Sequence, residues 1–151
     1  MENFSEADSL IGIYGRFRKL KHLLPCPEGL SRGEAILLHQ IACGTKEYDD
    51  GAGIKISELS KRTQMSMPAV SQMLNTLEEK GLTERRMTKN DRRVVRVCMT
   101  KKGETMYKET KQNLGRFFQE VMQEFGKERT EQMISLLDGL CESMEKVNTR
   151  K

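Results

Sequence analysis

Six basic side chains, Arg85, Arg86, Lys89, Arg92, Arg93 and Arg96, fall within twelve positions of this chain. Cations packed that closely repel one another and stabilise nothing unless an anion meets them. The chemistry they suit is non-covalent: contact with phosphates, and with the narrow minor groove of a duplex, where the negative potential is enhanced. A solvated charge run is the plainer alternative. Asp91 interrupts the cluster and reads as the partner of a neighbouring arginine that fixes a turn. Just upstream, Gln72 and Asn75 carry amides able to pair with adenine edges in the major groove, where each base pair shows a distinct donor and acceptor pattern. Ser66, Ser71 and the open backbone amides at this helix start, where Met67, Pro68 and Ala69 also face the groove, suit phosphates. As ordinary solvated residues, Gln72 and Asn75 would read nothing.

The positive charge is local. Residues 54–103 hold twelve Lys or Arg against five Asp or Glu, whereas the rest of the chain holds fourteen against seventeen. A net charge of +4 therefore conceals one segment at +7, an electrostatic footprint for nucleic acid. With 151 residues, the chain is long enough for one domain with a real core or a small domain on a helical scaffold. Its 36% hydrophobic and 32% charged residues suit helices with solvated outer faces, and an oligomer.

Other classes find little support. No nucleophile stands beside a base, no glycine loop cradles phosphate, and no carboxylates pair at useful spacing, so an enzyme is not expected. The two histidines and four scattered cysteines have no ligand spacing, so neither a metal nor a cofactor is expected. Cys26, Cys43, Cys98 and Cys141 read as reduced, mostly buried thiols, with Cys26, between Pro25 and Pro27, the exposed one. No apolar run is long enough for a membrane span and no signal core is visible, so a cytoplasmic protein with no membrane partner is expected.

The elements that must position these residues follow from periodicity. Leu10, Ile13, Tyr14, Phe17, Leu20 and Leu24 mark one apolar helix face, stopped at Pro25. Ser31 and Glu34 form a capping box that opens a second helix, which Gly44 closes. After a polar loop, Ile54 to Ile56 suit a short strand, and Ser57 caps a helix carrying Leu59 inward. A turn near Thr63 to Met65 leads to Ser66, which caps a further helix. Pro68 is harmless in its first turn, and Val70, Met73, Leu74 and Leu77 face inward. Gly81 sits where a helix ends. Two strands, Leu82 to Met87 and Val94 to Thr100, enclose the turn residues Asn90 and Asp91, making a basic hairpin. A long helix from Lys101 runs to Gly126. The last helix carries Met133, Leu137, Leu140, Met144 and Val147 at alternating steps of four and three, a coiled-coil-like seam that needs a partner.

Helix, tight turn, capped second helix and charged hairpin make a winged helix-turn-helix, whose second helix enters the major groove while the wing reaches backbone or minor groove. The expected fold is mainly α with a small β-hairpin: N-terminal helices over 1–53, the winged region over 54–103 and C-terminal helices over 104–151, in one compact domain. Residues 54–103 resemble the core of the MarR (multiple-antibiotic-resistance regulator) family. The carrying residues are SMPAVSQMLNTLEEKGL from Ser66 to Leu82, then Asp91-Arg92-Arg93, then Val97 to Gly103. They match a serine-led recognition helix ending in Leu-Glu-x-x-Gly-Leu, an Asp-x-Arg wing and a hydrophobic-Thr-x-x-Gly strand exit. The flanking helices match the family layout too.

That resemblance implies a DNA-binding transcriptional regulator, a repressor by base rate. It makes Arg93 the wing arginine of the minor groove and Asp91 its structural partner. Family members often carry arginine where this chain has Gln72, so base preference does not transfer there. The family's homodimers form through the first helix and the last two, which here implicates Leu10, Phe17, Met133, Leu137, Leu140, Met144 and Val147. Many relatives release DNA on binding a small phenolic or lipophilic effector; Tyr14, Phe17, His22, His39 and Tyr107 are candidate lining, or else plain core and rim residues. Others sense oxidants through a cysteine, for which Cys26 is the candidate. A winged helix used only for protein contacts is the competing class, but it has no need of so many wing arginines.

Overall fold

A computed structural model describes residues 5–47, 53–87 and 95–149. Helix α1 (Glu6–Leu20) opens on a capping box, with Ser5 Oγ accepting from the Asp8 amide at 3.2 Å and Asp8 returning to the Ser5 amide at 3.1 Å. Its apolar stripe was expected to reach Leu24, but the helix tightens into a 3-10 turn at Lys21–Leu23 and Leu24 is extended. The residue before a proline is pushed out of the helical region by the ring, and Pro25 follows.

Helix α2 (Arg32–Glu47) starts as expected: Ser31 Oγ accepts from the Glu34 amide at 3.2 Å, and the Glu34 carboxylate accepts from the Ser31 amide at 2.6 Å. Gly44 does not close it. A methyl on Gly44 would stand 2.2 Å from Ile54 Cδ1, so this glycine is a place of close approach inside the helix.

Strand β1 (Ile54–Lys55) pairs Ile54 with Val97, and helix α3 (Ile56–Thr63) follows without a gap. Ser57 is therefore not the cap. Strand pairing fixes where β1 ends, which leaves Lys55 at the cap position with no side-chain bond. Gln64, left-handed at φ 55°, then turns the chain, and Ser60 Oγ ties the junction by donating to the Met65 carbonyl at 2.6 Å. Helix α4 (Met67–Glu79) leads into β2 (Thr83–Met87), and β3 (Val95–Met99) lies between β2 and β1 in an antiparallel sheet. The expected hairpin thus gains a third strand. Helices α5 (Lys101–Phe125) and α6 (Lys127–Asn148) complete the chain.

The described residues fall into two compact units that divide within α5, 1–113 and 114–151. The first owns the core: Leu37 and Ile41 of α2, Ile54, Leu59, Val70, Leu74, Leu77, Leu82 and Val97 are all buried. In the second, Thr130 is buried and its hydroxyl donates to the Gly126 carbonyl at 2.8 Å, while the Arg129 guanidinium lies 4.4 Å from the Phe125 ring centre. Among the described residues no helix is long and apolar enough to cross a membrane.

The thiols were expected to be mostly buried, and only Cys98 is; Cys26 and Cys43 are half-buried. The exposed thiol is Cys141 rather than Cys26, because Cys26 lies in a loop that folds onto it, its Sγ donating to the Leu30 carbonyl at 3.5 Å.

Candidate nucleic-acid interface

Burial of Val70, Leu74 and Leu77 fixes the rotation of α4 about its axis. At about 100° per residue the opposite side must face out. Met67, Pro68, Gln72, Asn75 and Glu79 are exposed there, flanked by half-buried Ala69 and Ser71. Ser66 Oγ accepts from the Ala69 amide at 3.4 Å, so its oxygen caps the helix while its O–H keeps a proton to donate.

Two joints hold the far end of α4. In the first, Gly81 adopts φ 70° and the amides of Gly81 and Leu82 return to the carbonyls of Glu78 and Leu77 at 2.8 and 2.9 Å. Thr100 then binds the same turn: its amide donates to the Leu82 carbonyl at 3.0 Å and its hydroxyl to the Gly81 carbonyl at 2.6 Å, while accepting from the Gly103 amide at 3.1 Å. A methyl on Gly103 would lie 2.0 Å from the Leu82 carbonyl oxygen. The Gly-Leu and Thr-x-x-Gly motifs are thus the two halves of one contact between the exit of α4 and the start of α5.

Sequence reasoning missed the second joint. Lys80 Nζ donates to both oxygens of buried Glu34, at 2.8 and 2.9 Å, and to the Gly29 carbonyl at 2.8 Å. The Lys80 hydrogen bond, then the Ser31 amide, hold the Glu34 carboxyl below its ordinary pKa, against the opposing effect of burial. The capping box flagged Glu34, but nothing in the spacing flagged a lysine 46 residues away.

The base of the wing is partly neutralised by its own neighbours. Arg85 Nη2 donates to Asn75 Oδ1 at 2.9 Å, and Arg85 Nη1 is ion-paired with Glu78. Arg86 pairs with Glu84, its Nε at 2.8 Å, which raises the guanidinium pKa further. Arg96 is half-buried and donates from Nη1 to the Gly53 carbonyl at 2.9 Å. Gly53 sits at φ 85°, where a methyl would meet the Val97 carbonyl oxygen at 2.3 Å. Lys89, Asp91, Arg92 and Arg93 lie outside the described residues.

Of the candidate effector residues, the structure brings two together. His39 Nδ1 lies 3.1 Å from the Tyr107 hydroxyl, with Cys43 Sγ 3.6 Å from His39 Nε2. Burial raises the Tyr107 pKa. Tyr14 and Phe17 stand exposed on α1, and the exposed His22 turns Nδ1 to the Lys19 carbonyl. The residues expected at a dimer seam are uncovered: Leu10, Phe17, Met133, Leu137, Met144 and Val147 are exposed and Leu140 half-buried.

Comparison with known proteins agrees with this geometry. Residues 48–95 match the family model described as the MarR family. A solved Multiple Antibiotic Resistance Repressor, MarR, is 26% identical, covering 87% of this chain and 92% of its own, with a TM-score of 0.69. A mutant of E. coli MarR complexed with operator DNA is 24% identical over 93% of this chain and 99% of that one, TM-score 0.67. Streptococcus pneumoniae FabT in complex with DNA is 22% identical over 93% and 96%, TM-score 0.68. The family model thus matches the segment that carries α4 and its wing, and the chain resembles these MarR structures in fold along most of its length.

Proposed function

We propose that this chain is a transcriptional regulator that binds a pseudo-palindromic duplex operator as a homodimer, acts as a repressor in the cytoplasm, and is released by a small lipophilic or phenolic effector. The observation that carries the reading is the outward face of α4, where Gln72 and Asn75 stand exposed between an open, Ser66-capped helix start and the arginines of β2 and β3. That is the arrangement a reading helix and its wing require. The relatives solved with DNA support it, as does the local charge of the segment.

Two copies related by a two-fold axis would present two α4 helices, so half-sites should stand about one turn of DNA apart, roughly 34 to 36 Å. The uncovered apolar residues of α1 and α6 supply a surface for that association. Ser66, Met67, Pro68, Ala69, Ser71, Gln72 and Asn75 make up the reading helix, and Arg85, Arg86, Lys89, Asp91, Arg92, Arg93 and Arg96 belong to the wing. His39 and Tyr107, already in contact, are the nearest thing to an effector-binding pair.

Selection of bound fragments from random duplex DNA, with and without candidate phenolic effectors, tests the reading. The expected result is an enriched inverted repeat whose binding falls by about 10³ to 10⁵-fold between 50 and 200 mM salt, if six to ten phosphates are neutralised. No enrichment even at low salt would leave a winged helix built for protein contacts.

A further inference from the structure

We infer that Arg85 is a positioning residue that sets which half of the Asn75 amide is offered to a base, and so makes Asn75 favour a keto base, guanine or thymine, over adenine. The inference rests on the DNA-binding reading above and names a determinant of its specificity. A guanidinium has five donors and no acceptor, so the amide atom facing Arg85 Nη2 at 2.9 Å must be the oxygen. The hydrogen-bond partner thus fixes the amide orientation. Glu78 holds the other arm of the same guanidinium, and Asn75 and Glu78 stand three residues apart on one face of α4. Arg85 therefore bridges two acceptors from a strand, and its position is set by both.

An asparagine that reads adenine needs both of its polar atoms, Oδ1 to accept from N6 and Nδ2 to donate to N7. Here Oδ1 is engaged. Its second lone pair would have to take the adenine amino group while the guanidinium donates to the first, bringing two donor groups onto one oxygen. The half of the amide left free is the donor, Nδ2. Adenine does offer N7 to that donor, but sets its N6 donor beside it, against the oxygen already engaged; guanine instead sets a second acceptor, O6, beside N7, thymine shows O4, and cytosine shows only its N4 donor in the major groove. The side chain that looked able to take adenine in the usual way is thus turned toward a keto base.

The test is selection from a randomised duplex pool with the full chain, comparing wild type with Asn75→Ala, Arg85→Ala and Glu78→Gln. Loss of preference in Asn75→Ala identifies the operator position concerned. At that position the wild type should enrich guanine or thymine, and Arg85→Ala should raise adenine relative to them by about tenfold, the worth of one bidentate base contact. Glu78→Gln, which loosens Arg85 without touching Asn75, should move the preference the same way by less, and covers the case in which Arg85→Ala folds poorly. A uniform loss of affinity with unchanged base preference and a shallower salt dependence would make Arg85 a phosphate contact and overturn the inference. Enrichment of adenine by the wild type would overturn it as well. If no variant, wild type included, enriches any sequence, the DNA-binding reading itself has failed, and that outcome is distinct from the others.

Discussion

The winged region and the terminal helices treat apolar side chains in opposite ways. Between Ile54 and Val97, every residue of the core cluster is sealed, and the exit of α4 is hydrogen-bonded within the chain. Helix α1 buries no residue, and Phe17 is 72% exposed; on α6 only Thr130 is buried, with Leu137 at 50% and Met144 at 64%. Covering a large apolar side chain is worth roughly 1.5 to 3 kcal/mol, so uncovered stripes at both ends leave much stabilisation unrealised in a single chain. The reading head is finished by its own sequence. The arms are not, and a second copy is the occupant proposed above.

The largest expected effect breaks that comparison on the side of the arms. If the proposed dimer forms through α6, Leu140→Glu should convert it to monomer and abolish operator binding without melting the winged core. Light scattering that still showed a monodisperse dimer would remove α6 from the interface. Next in size, Gly103→Ala attacks the head. A methyl 2.0 Å from a backbone oxygen has to displace that backbone, and overpacking of this kind costs about 1 to 3 kcal/mol or more, read as a lower urea midpoint. An unchanged midpoint would mean that α5 starts farther from Leu82 than the structure has it.

Glu34→Gln should cost somewhat less, about 1 to 3 kcal/mol, because it leaves Lys80 partly satisfied by the Gly29 carbonyl. The pH dependence sharpens this prediction. The folded carboxyl titrates below its ordinary value of 4.5, so the pair stabilises fully above that value and progressively less as pH falls through the folded pKa. Melting curves of Glu34→Gln and wild type should converge in acid; a constant gap would deny the pair its charge. Smallest in free energy is Arg93→Ala, which should lower the salt slope of DNA binding by about one per arginine, roughly fourfold between 50 and 200 mM, and leave the dimer intact. An unaltered slope would take Arg93 off the phosphates and out of the groove.

Which parts of this were legible in the sequence follows a physical divide. Features carried by one element and its period were readable: the inward face of α4, its Ser66 cap, the Ser31 and Glu34 box, and Gly81 and Gly126 as breaks. Features made by contact between distant segments were not. Gly44 looks like a stop signal in one dimension and becomes a space for Ile54 in three. Ser57 looks like a cap until the pairing of Ile54 with Val97 decides where the strand ends. Arg85, Arg86 and Arg96 read as one cationic surface, yet their partners Glu78, Glu84 and Gly53 divide them into a brace, a local pair and a peg in the sheet. The Glu34 to Lys80 tie spans 46 residues, and no local pattern encodes it.

The junction at Gly103 has a mechanical corollary. A long helix that begins flush against another helix's exit, with only the Thr100 hydroxyl stitched between them, has little slack at its first turn. A shift of that first turn has to move Leu82 as well, and with it the foot of α4.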